Sequence, residues 1–462
     1  MEYFFNNQHI HKIHFVGIGG ISMSSLAKLC HNSGLIVSGS DSKSSNMTDE
    51  LKNIGIKIFI GHDAKNIDDC DTVVYTIAVK ESNPEVAQAK NLGLNVFERS
   101  DFLRLVCKAY KNVIAVAGTH GKTTTTGMIA NIFIEAKKDP TVHIGGECAL
   151  FGGNLRIGST DFFITEACEY KKHLLKVPHN VGVVLNIEPD HPDSYTSDDD
   201  LHNTFNKFCL MSKELSVVNE KHLVLLRDRA KCNISTFSVS YGNFTAKNIR
   251  QYKNGKITFN AYKDGEFYSF FELNMFGKHN VMNALASIAT ADYYHIPKVM
   301  IAKGLKNFCG IKRRFQFMGK LGSNIVIEDY AHHPTEISAV IQSAKEIFGK
   351  KIIAVFQPHT YSRTKSLLGE FLKCFKFADK IYVLPTYSAR EKPQKNSSGK
   401  FLAKCLVKTG ANCTYLSSFK ACKKALKAEN DSVILIIGAG DIEKLAVDIK
   451  QEYIKLLELK KQ

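Results

Sequence analysis

Short apolar runs of strand length recur along this chain. Each is closed by a glycine or polar turn and followed by apolar positions at helical spacing. Toward the N-terminus, IHFVGIG, LIVSGSD, IKIFIG, DTVVYTIA and NVFERS alternate with SSLAKLCHN, TDELKNIG and PEVAQAKNLG. Alternation of this kind predicts parallel strands joined by crossover helices. FLRLVCKAY leads into a second such unit, with VIAVAG, DFFITEA, NVGVVLNI and ELSVVN as strands. Within it, KITFNAYKDGEFYSFFELN alternates about a Lys-Asp-Gly turn and predicts a β-hairpin. HNVMNALASIATADYY predicts a helix with Asn280 and Asn283 one turn apart. A third unit begins near Met318, with NIVIEDYA, KIIAVFQPH, KIYVLP and SVILIIGAG as strands. The pattern predicts three α/β domains in series, residues 1–109, 110–315 and 316–462, without tandem repeats or low-complexity tracts.

Composition changes this picture little. The 462 residues suffice for three domains of ~150 residues each. With 44% hydrophobic and 23% charged residues, the chain reads as soluble and globular. Its longest apolar run, around Val433–Ile437, is too short to span a bilayer, and MEYFFNNQHIHKIHFVGIGG lacks the layout of a signal peptide. A cytoplasmic protein without membrane insertion is expected. The 12 cysteines form no C-x-x-C pair, which argues against a zinc module and against a disulfide framework. Formal net charge is +16, but the lysines are spread along the chain with no basic block interleaved with aromatics. The charge therefore reads as a lysine-rich surface, not a nucleic-acid footprint, and its field would attract anionic nucleotides.

Candidate chemistry centres on Gly118-Thr119-His120-Gly121-Lys122-Thr123, between the strand VIAVAG and the helix TTTTGMIANIF. A glycine turn that opens a helix aims backbone N–H groups and the positive helix end at one spot, as a phosphate requires. Lys122 can reach the outer phosphates and the Thr123 hydroxyl can ligate Mg²⁺, although the loop is shorter than the usual G-x-x-x-x-G-K-[ST]. Glu166 ends the strand DFFITEA, where it can hold the same ion. Asn186, Glu188, Asp190 and His191 follow NVGVVLNI in the same way, so a metal or phosphate role is open to His191.

A second glycine turn, Gly17-Ile18-Gly19-Gly20-Ile21-Ser22, follows the first strand, with Asp41 after the second. It suits a diphosphate and ribose, whether of a dinucleotide or of a nucleotide sugar. Arg313 and Arg314 stand at the entry to the third domain, where arginine suits phosphate contacts. Asp329, Tyr330, His332 and His333 share one polar turn of that domain, and His359 and Arg363 another.

In order, GIGGISMS, AGTHGKTTTT, EACEY, NIEPDH, GKHNVMNALAS, RRFQ, DYAHHPTE, FQPHTYSRT and GAGDI resemble the Mur ligases, ATP-dependent amide-forming enzymes of peptidoglycan precursor synthesis. The resemblance runs from the first strand to the last helix. It implies an N-terminal Rossmann-like domain for a UDP-sugar, a central P-loop ATPase-like domain with a parallel sheet, and a C-terminal Rossmann-like domain for the amino acid. It also implies that ATP activates UDP-N-acetylmuramate as an acyl phosphate, that L-alanine attacks it, and that Mg²⁺ is the cofactor.

On this resemblance, Gly118, Thr119, His120, Gly121, Lys122, Thr123, Thr124, His279, Asn283 and Arg314 would bind ATP. Thr123, Glu166 and His191 would serve the metal. Gly19, Ser22, Asp41, Thr76, Asn83, His143 and Asn154 would lie on the sugar-nucleotide side, and Tyr330, His332 and Arg363 near the amino acid. Lys122, His191, Arg314, Asp329 and His332 would carry the chemistry, with His332 or Asp329 assisting deprotonation of the amine. Two departures stand out: Cys168 replaces an acid of the usual Glu-Ala-Asp-Glu-Ser, and Thr360 replaces an arginine of Pro-His-Arg-Tyr. Three other readings remain at this point. They are a ligase that joins a preformed peptide to the same sugar nucleotide, an NAD-dependent oxidoreductase built on the first glycine loop, and a non-catalytic nucleotide-gated module.

Overall fold

Each of the three alternating stretches closes a sheet of its own. The computed structural model describes residues 4–5, 7–190, 194–224, 232–252, 255–389 and 391–459. The first sheet has five parallel strands in the order Lys57–Ile60, Ile36–Asp41, Lys12–Val16, Thr72–Tyr75, Asn95–Glu98. The second has ten strands. Asn112–Ala117 lies inside it, flanked in parallel by Val181–Val184 and Phe162–Glu166. The third has six strands, in the order Gln316–Leu321, Asn324–Asp329, Ser432–Ile437, Lys351–Phe356, Lys380–Val383, Cys413–Tyr415. Its first pair is antiparallel and its other pairs are parallel.

The sequence pattern missed six strands. Thr141–Cys148, Gly153–Arg156, Asn233–Phe237 and Phe244–Gln251 extend the central sheet, and Gln316–Leu321 and Cys413–Tyr415 edge the third. Three of them have only three to five residues, and Thr141–Cys148 is interrupted by Gly145-Gly146. Such segments are strands because neighbours pair with them, not because of their own propensity. The expected hairpin is present as Lys256–Lys263 and Glu266–Asn274, joined through Asp264-Gly265 with both residues at positive φ, as a tight hairpin turn demands.

The helix after the glycine loop, Lys122–Glu135, is buried continuously from Thr123 to Phe133. It packs under the helices His279–Tyr293 and Lys298–Asn307. A helix buried all round shows no amphipathic stripe. No helix among the described residues is long and apolar enough to cross a membrane.

The two junctions between the domains differ. Phe5, Phe15 and Phe102 of the first domain share one buried cluster with Tyr110, Val113 and Phe163 of the second. The Tyr110 and Phe163 rings stack at 4.7 Å. The third domain keeps its own apolar clusters on the two faces of its sheet. It meets the central domain through ion pairs, such as Arg363 with Asp190, and through Phe276, whose ring lies 6.0 Å from that of Phe348.

Candidate active site

Because the strands on either side of Asn112–Ala117 run parallel to it, three polar turns converge at their carboxyl ends: Gly118–Gly121, Glu166–Glu169 and Asn186–Asp190. In open α/β sheets ligands bind at this edge. Gly121 caps the helix with φ +83°. A Cβ there would lie 2.7 Å from Asn283 Oδ1, so both the turn and the close approach exclude a side chain. The first-turn N–H groups at Lys122, Thr123 and Thr124 have no intrahelical acceptor and face outward from the helix end.

The loop amides do not all play the part expected of them. The Thr119 amide donates to Asn186 O (3.2 Å) and the His120 amide to Asn186 Oδ1 (2.8 Å). The Thr119 hydroxyl donates to Glu188 O and accepts from Glu188 N, each at 3.0 Å. Thr119 and His120 therefore fasten the loop to the next turn instead of offering N–H groups to phosphate.

Lys122 Nζ donates to Gly118 O (2.6 Å) and Glu169 Oε2 (2.8 Å). Burial alone would favour the neutral amine, but Glu169 outweighs it and raises the pKa, so the ammonium is retained. The strand dipeptide Gly145-Gly146 runs between Glu166 and Thr123. The Gly145 amide donates to Glu166 Oε1 (2.6 Å), and a Cβ on Gly146 would lie 3.0 Å from Thr123 Cγ2. Thr123 and Glu166 thus offer two hard oxygen donors beside the phosphate loop, which is what Mg²⁺ takes. His191 lies outside the described residues.

Above the loop is a cavity of about 480 Å³, lined by His120, Thr124, Phe276, His279, Asn283 and Arg314, with Asp329 and Glu336 on the C-terminal side. Phe276 and Glu336 are residues the sequence reading did not pick. Phe276 sits on the approach to the helix, 5.1 Å ring to ring from Phe315, and gives the cavity an aromatic wall. Asn283 donates to Asn280 Oδ1 (2.9 Å), and Asn280 donates to Phe276 O (2.7 Å). His279 is neutral, held near 4 by burial with Arg314 adding to the effect.

The two junction arginines separate. Arg313 donates to Gly438 O (2.7 Å) and Glu443 (2.8 Å), binding the junction to the GAGDI turn. Arg314 lines the cavity, 3.7 Å from Glu336 Oε1 and 5.4 Å from the Tyr330 ring centre.

Asp329 is a poor candidate to take a proton. Its carboxylate accepts from Phe315 N (2.8 Å) and Ala331 N (2.7 Å), so it fixes the junction. Burial lifts its pKa to about 6, with Arg314 pulling the other way. His332 pairs Nδ1 with Tyr330 O (3.1 Å), which makes Nδ1 the protonated nitrogen and Nε2 the lone-pair nitrogen. Burial holds His332 at about 3 and therefore neutral.

Arg363, expected in an open amino-acid pocket, is only 5% exposed and is taken by a protein carboxylate instead. Its Nε and Nη2 donate to Asp190 Oδ1 (3.0 Å) and Oδ2 (3.3 Å), a two-point pair between the central and C-terminal domains.

The N-terminal glycine loop meets the central domain at another edge. Asp41 accepts from the Gly19 amide (2.9 Å), so this carboxylate shapes the loop before it can reach a ribose. Ser22 Oγ lies 3.1 Å from His143 Nε2 and 3.4 Å from Arg99 Nη1. His143 is buried and neutral, held near 4 by desolvation, then by Arg99. Thr76 packs its methyl against the Gly17 turn. Asn83 caps the helix Pro84–Asn91 by accepting from Glu85 N (2.9 Å). Asn154 is buried and donates to Ile21 O (2.6 Å), so it braces one domain on the other and does not face an opening. Asn83 and Asn154 are thus structural in this arrangement. Arg99, which belongs to none of the sequence motifs, sits between the two loops with Ser22 and with His173 Nδ1 (3.0 Å).

Comparison with known proteins agrees with this layout. Residues 12–111 match the Mur ligase family catalytic domain, residues 116–291 the Mur ligase middle domain, and residues 313–440 the Mur ligase glutamate ligase domain. UDP-N-acetylmuramate–L-alanine ligase of Clostridium novyi (strain NT) is 42% identical over 448 residues, covering 96% of this chain and 98% of the relative. The enzyme of the same name from Clostridium botulinum (strain Loch Maree / Type A3) is 43% identical over 445 residues, covering 95% and 96%. The crystal structure of UDP-N-acetylmuramate–alanine ligase from Thermotoga maritima superposes with a TM-score of 0.83 at 31% identity, covering 96% of this chain and 99% of that one. A murein peptide ligase from Psychrobacter arcticus 273-4 shares the fold, with a TM-score of 0.70 at 24% identity over 96% and 98% of the two chains. With matches across all three of its sheets, the chain belongs to the Mur ligase family.

Proposed function

We infer that this chain joins L-alanine to UDP-N-acetylmuramate at the expense of ATP, in the cytoplasm, releasing ADP and phosphate. The observation that carries the reading is the cavity itself. Gly121 and Thr124, at the N-terminus of the helix that also carries Lys122 and Thr123, line it on one side, and Arg314 from the interdomain junction lines it on another.

The chemistry follows from what a carboxylate lacks. It does not accept an amine until an oxygen is converted into a leaving group. The sugar carboxylate attacks the γ-phosphorus of ATP, the β–γ oxygen bridge breaks, and an acyl phosphate and ADP form. The amine of alanine then attacks the acyl carbon, phosphate departs and one proton is lost from nitrogen. Positioning and charge neutralisation dominate such a transfer. The outward N–H groups of Lys122–Thr124, the Lys122 ammonium and the Arg314 guanidinium would face the transferring phosphoryl group. Glu169 would release Lys122 to the phosphates. Thr123 and Glu166, with His191 as a further candidate ligand, would hold Mg²⁺, which supplies additional neutralisation of phosphate charge when bound. Phe276 gives the adenine a face to stack on, beside Asn283 and His279. On the acceptor side, His332 is the better placed of the two candidate groups, because Asp329 is committed to two backbone amides.

The test is ADP release from the purified protein. Release should require UDP-N-acetylmuramate and L-alanine together. ADP formation with a preformed peptide but not with alanine would select the peptide ligase instead. Binding of NAD without any ATP consumption would select the oxidoreductase.

A further inference from the structure

We propose that His120 is a positioning residue that registers the C-terminal domain on the phosphate loop, through an imidazolium shared between Glu188 of the central domain and Glu336 of the C-terminal domain. Its Nε2 lies 3.4 Å from Glu188 Oε2 and its Nδ1 3.1 Å from Glu336 Oε1. Two carboxylates facing each other across a domain junction repel. A neutral imidazole leaves that repulsion in place, whereas the protonated ring puts one positive charge within ion-pair distance of both carboxylates.

The environment favours the charged ring. Burial alone would drive off the proton, but Glu336 and Glu188 outweigh it and hold His120 at about 9. The groups facing His120 are Glu188 on its own domain, and Glu336 and His333 on the C-terminal domain, the last with its ring centre 4.8 Å away. Behind Glu336 stand Arg314 and His332, each at 3.7 Å. Glu336 also accepts from the His332 amide (3.1 Å), so the acid that His120 meets is fixed to the start of its helix.

The same turn of the central domain is grasped twice more. His333 Nε2 lies 3.1 Å from Pro189 O, and Arg363 pairs with Asp190. On its other side this turn is fastened to Thr119 and His120 through Asn186 and Glu188. His120 therefore belongs to the phosphate loop by its backbone and to the domain junction by its side chain. Occupation of the loop and docking of the C-terminal domain act on one residue.

The test compares the full-length wild type with His120→Gln, Glu336→Gln and the double variant. Dyes on the N-terminal and C-terminal domains report closure by energy transfer. Opening removes Glu336 and leaves only Glu188 beside His120, so the ring holds its proton less firmly in the open state than in the closed one, where its pKa is about 9. Closure is therefore favoured while the ring is protonated and is lost as pH rises toward 9. His120→Gln should remove that dependence. Each single variant should lower kcat/KM for alanine about tenfold, and the double variant should fall little further, as groups of one network do.

Additive losses, an unchanged kcat/KM for alanine, or closure insensitive to pH in the wild type would overturn the proposal. So would opening of the nucleotide-free protein by a chelator, since His120, Glu188 and His333 could instead hold a metal ion. The alanine readout rests on the ligase reading. Closure does not, so a wild type that closes with pH but makes no ADP would refute the function and leave the latch standing.

Discussion

The first two domains share one continuous apolar cluster, in which Phe5, Phe15 and Phe102 meet Tyr110, Val113 and Phe163, whereas Arg363 and Asp190 join the last two through a buried ion pair. The contrast shows which domain can move. Separating an apolar junction exposes core to water and is opposed everywhere along the contact. An ionic junction edged by an aromatic contact, Phe276 on Phe348, can be parted and rehydrated at the cost of little apolar surface, and its charges re-form only in one register. The N-terminal domain is thus held fast against the central sheet. The C-terminal domain can depart and return, which a site that must admit three substrates requires.

The comparison can be broken most decisively at the apolar side. Phe163 is wholly buried, and Phe163→Ala should cost about 3–5 kcal/mol of stability. Urea unfolding measures this, and a loss below 1 kcal/mol would show that the first junction is not a packed core. Next in size is Lys122, in the loop beside which both junctions meet. Lys122→Ala should lower kcat roughly 10²–10³-fold. Near wild-type turnover would remove the phosphate loop from the mechanism.

At the ionic side, Asp190→Asn and Arg363→Ala should each reduce kcat/KM for alanine by about 1–3 kcal/mol in coupling terms, without shifting the melting of the central domain. A collapse in stability with normal kinetics would make the pair a structural prop only. Acid reaches the buried histidines of the central domain. His143 and His179 are buried and neutral, each held near 4 by burial against an ordinary 6.5. Between pH 6.5 and 4 the unfolded chain takes up protons that the folded chain refuses. Stability is therefore full above 6.5 and is lost as pH falls through that window, by up to about 1.4 kcal/mol per pH unit for each histidine. Urea midpoints that stay level from pH 7 to 5 would contradict this.

Where the sequence was readable, the reason was local. The phosphate loop, the hairpin turn at Asp264-Gly265 and the helix start at Pro334 depend on residues a few positions apart, so pattern and chemistry coincide. The ends of the buried strands Phe162–Glu166 and Val181–Val184 were legible for the same reason, and with them the region of Glu166 and Glu188. What escaped was set at long range. Nothing near Arg363 announces Asp190, and nothing near His120 announces Glu336, because each partner comes from another domain. Asn83 and Asn154 illustrate the converse: an asparagine beside a predicted site was better used as a helix cap or a brace. Asp329 stands at the right turn, but its oxygens are engaged by amides that only the folded junction supplies.

The most direct test of the mechanism follows an oxygen atom. UDP-N-acetylmuramate labelled with ¹⁸O in its carboxyl group is supplied with ATP and L-alanine, and the released phosphate is weighed by mass spectrometry. Attack of the carboxylate on the γ-phosphorus predicts one ¹⁸O in each phosphate released. Unlabelled phosphate accompanying amide formation would contradict it.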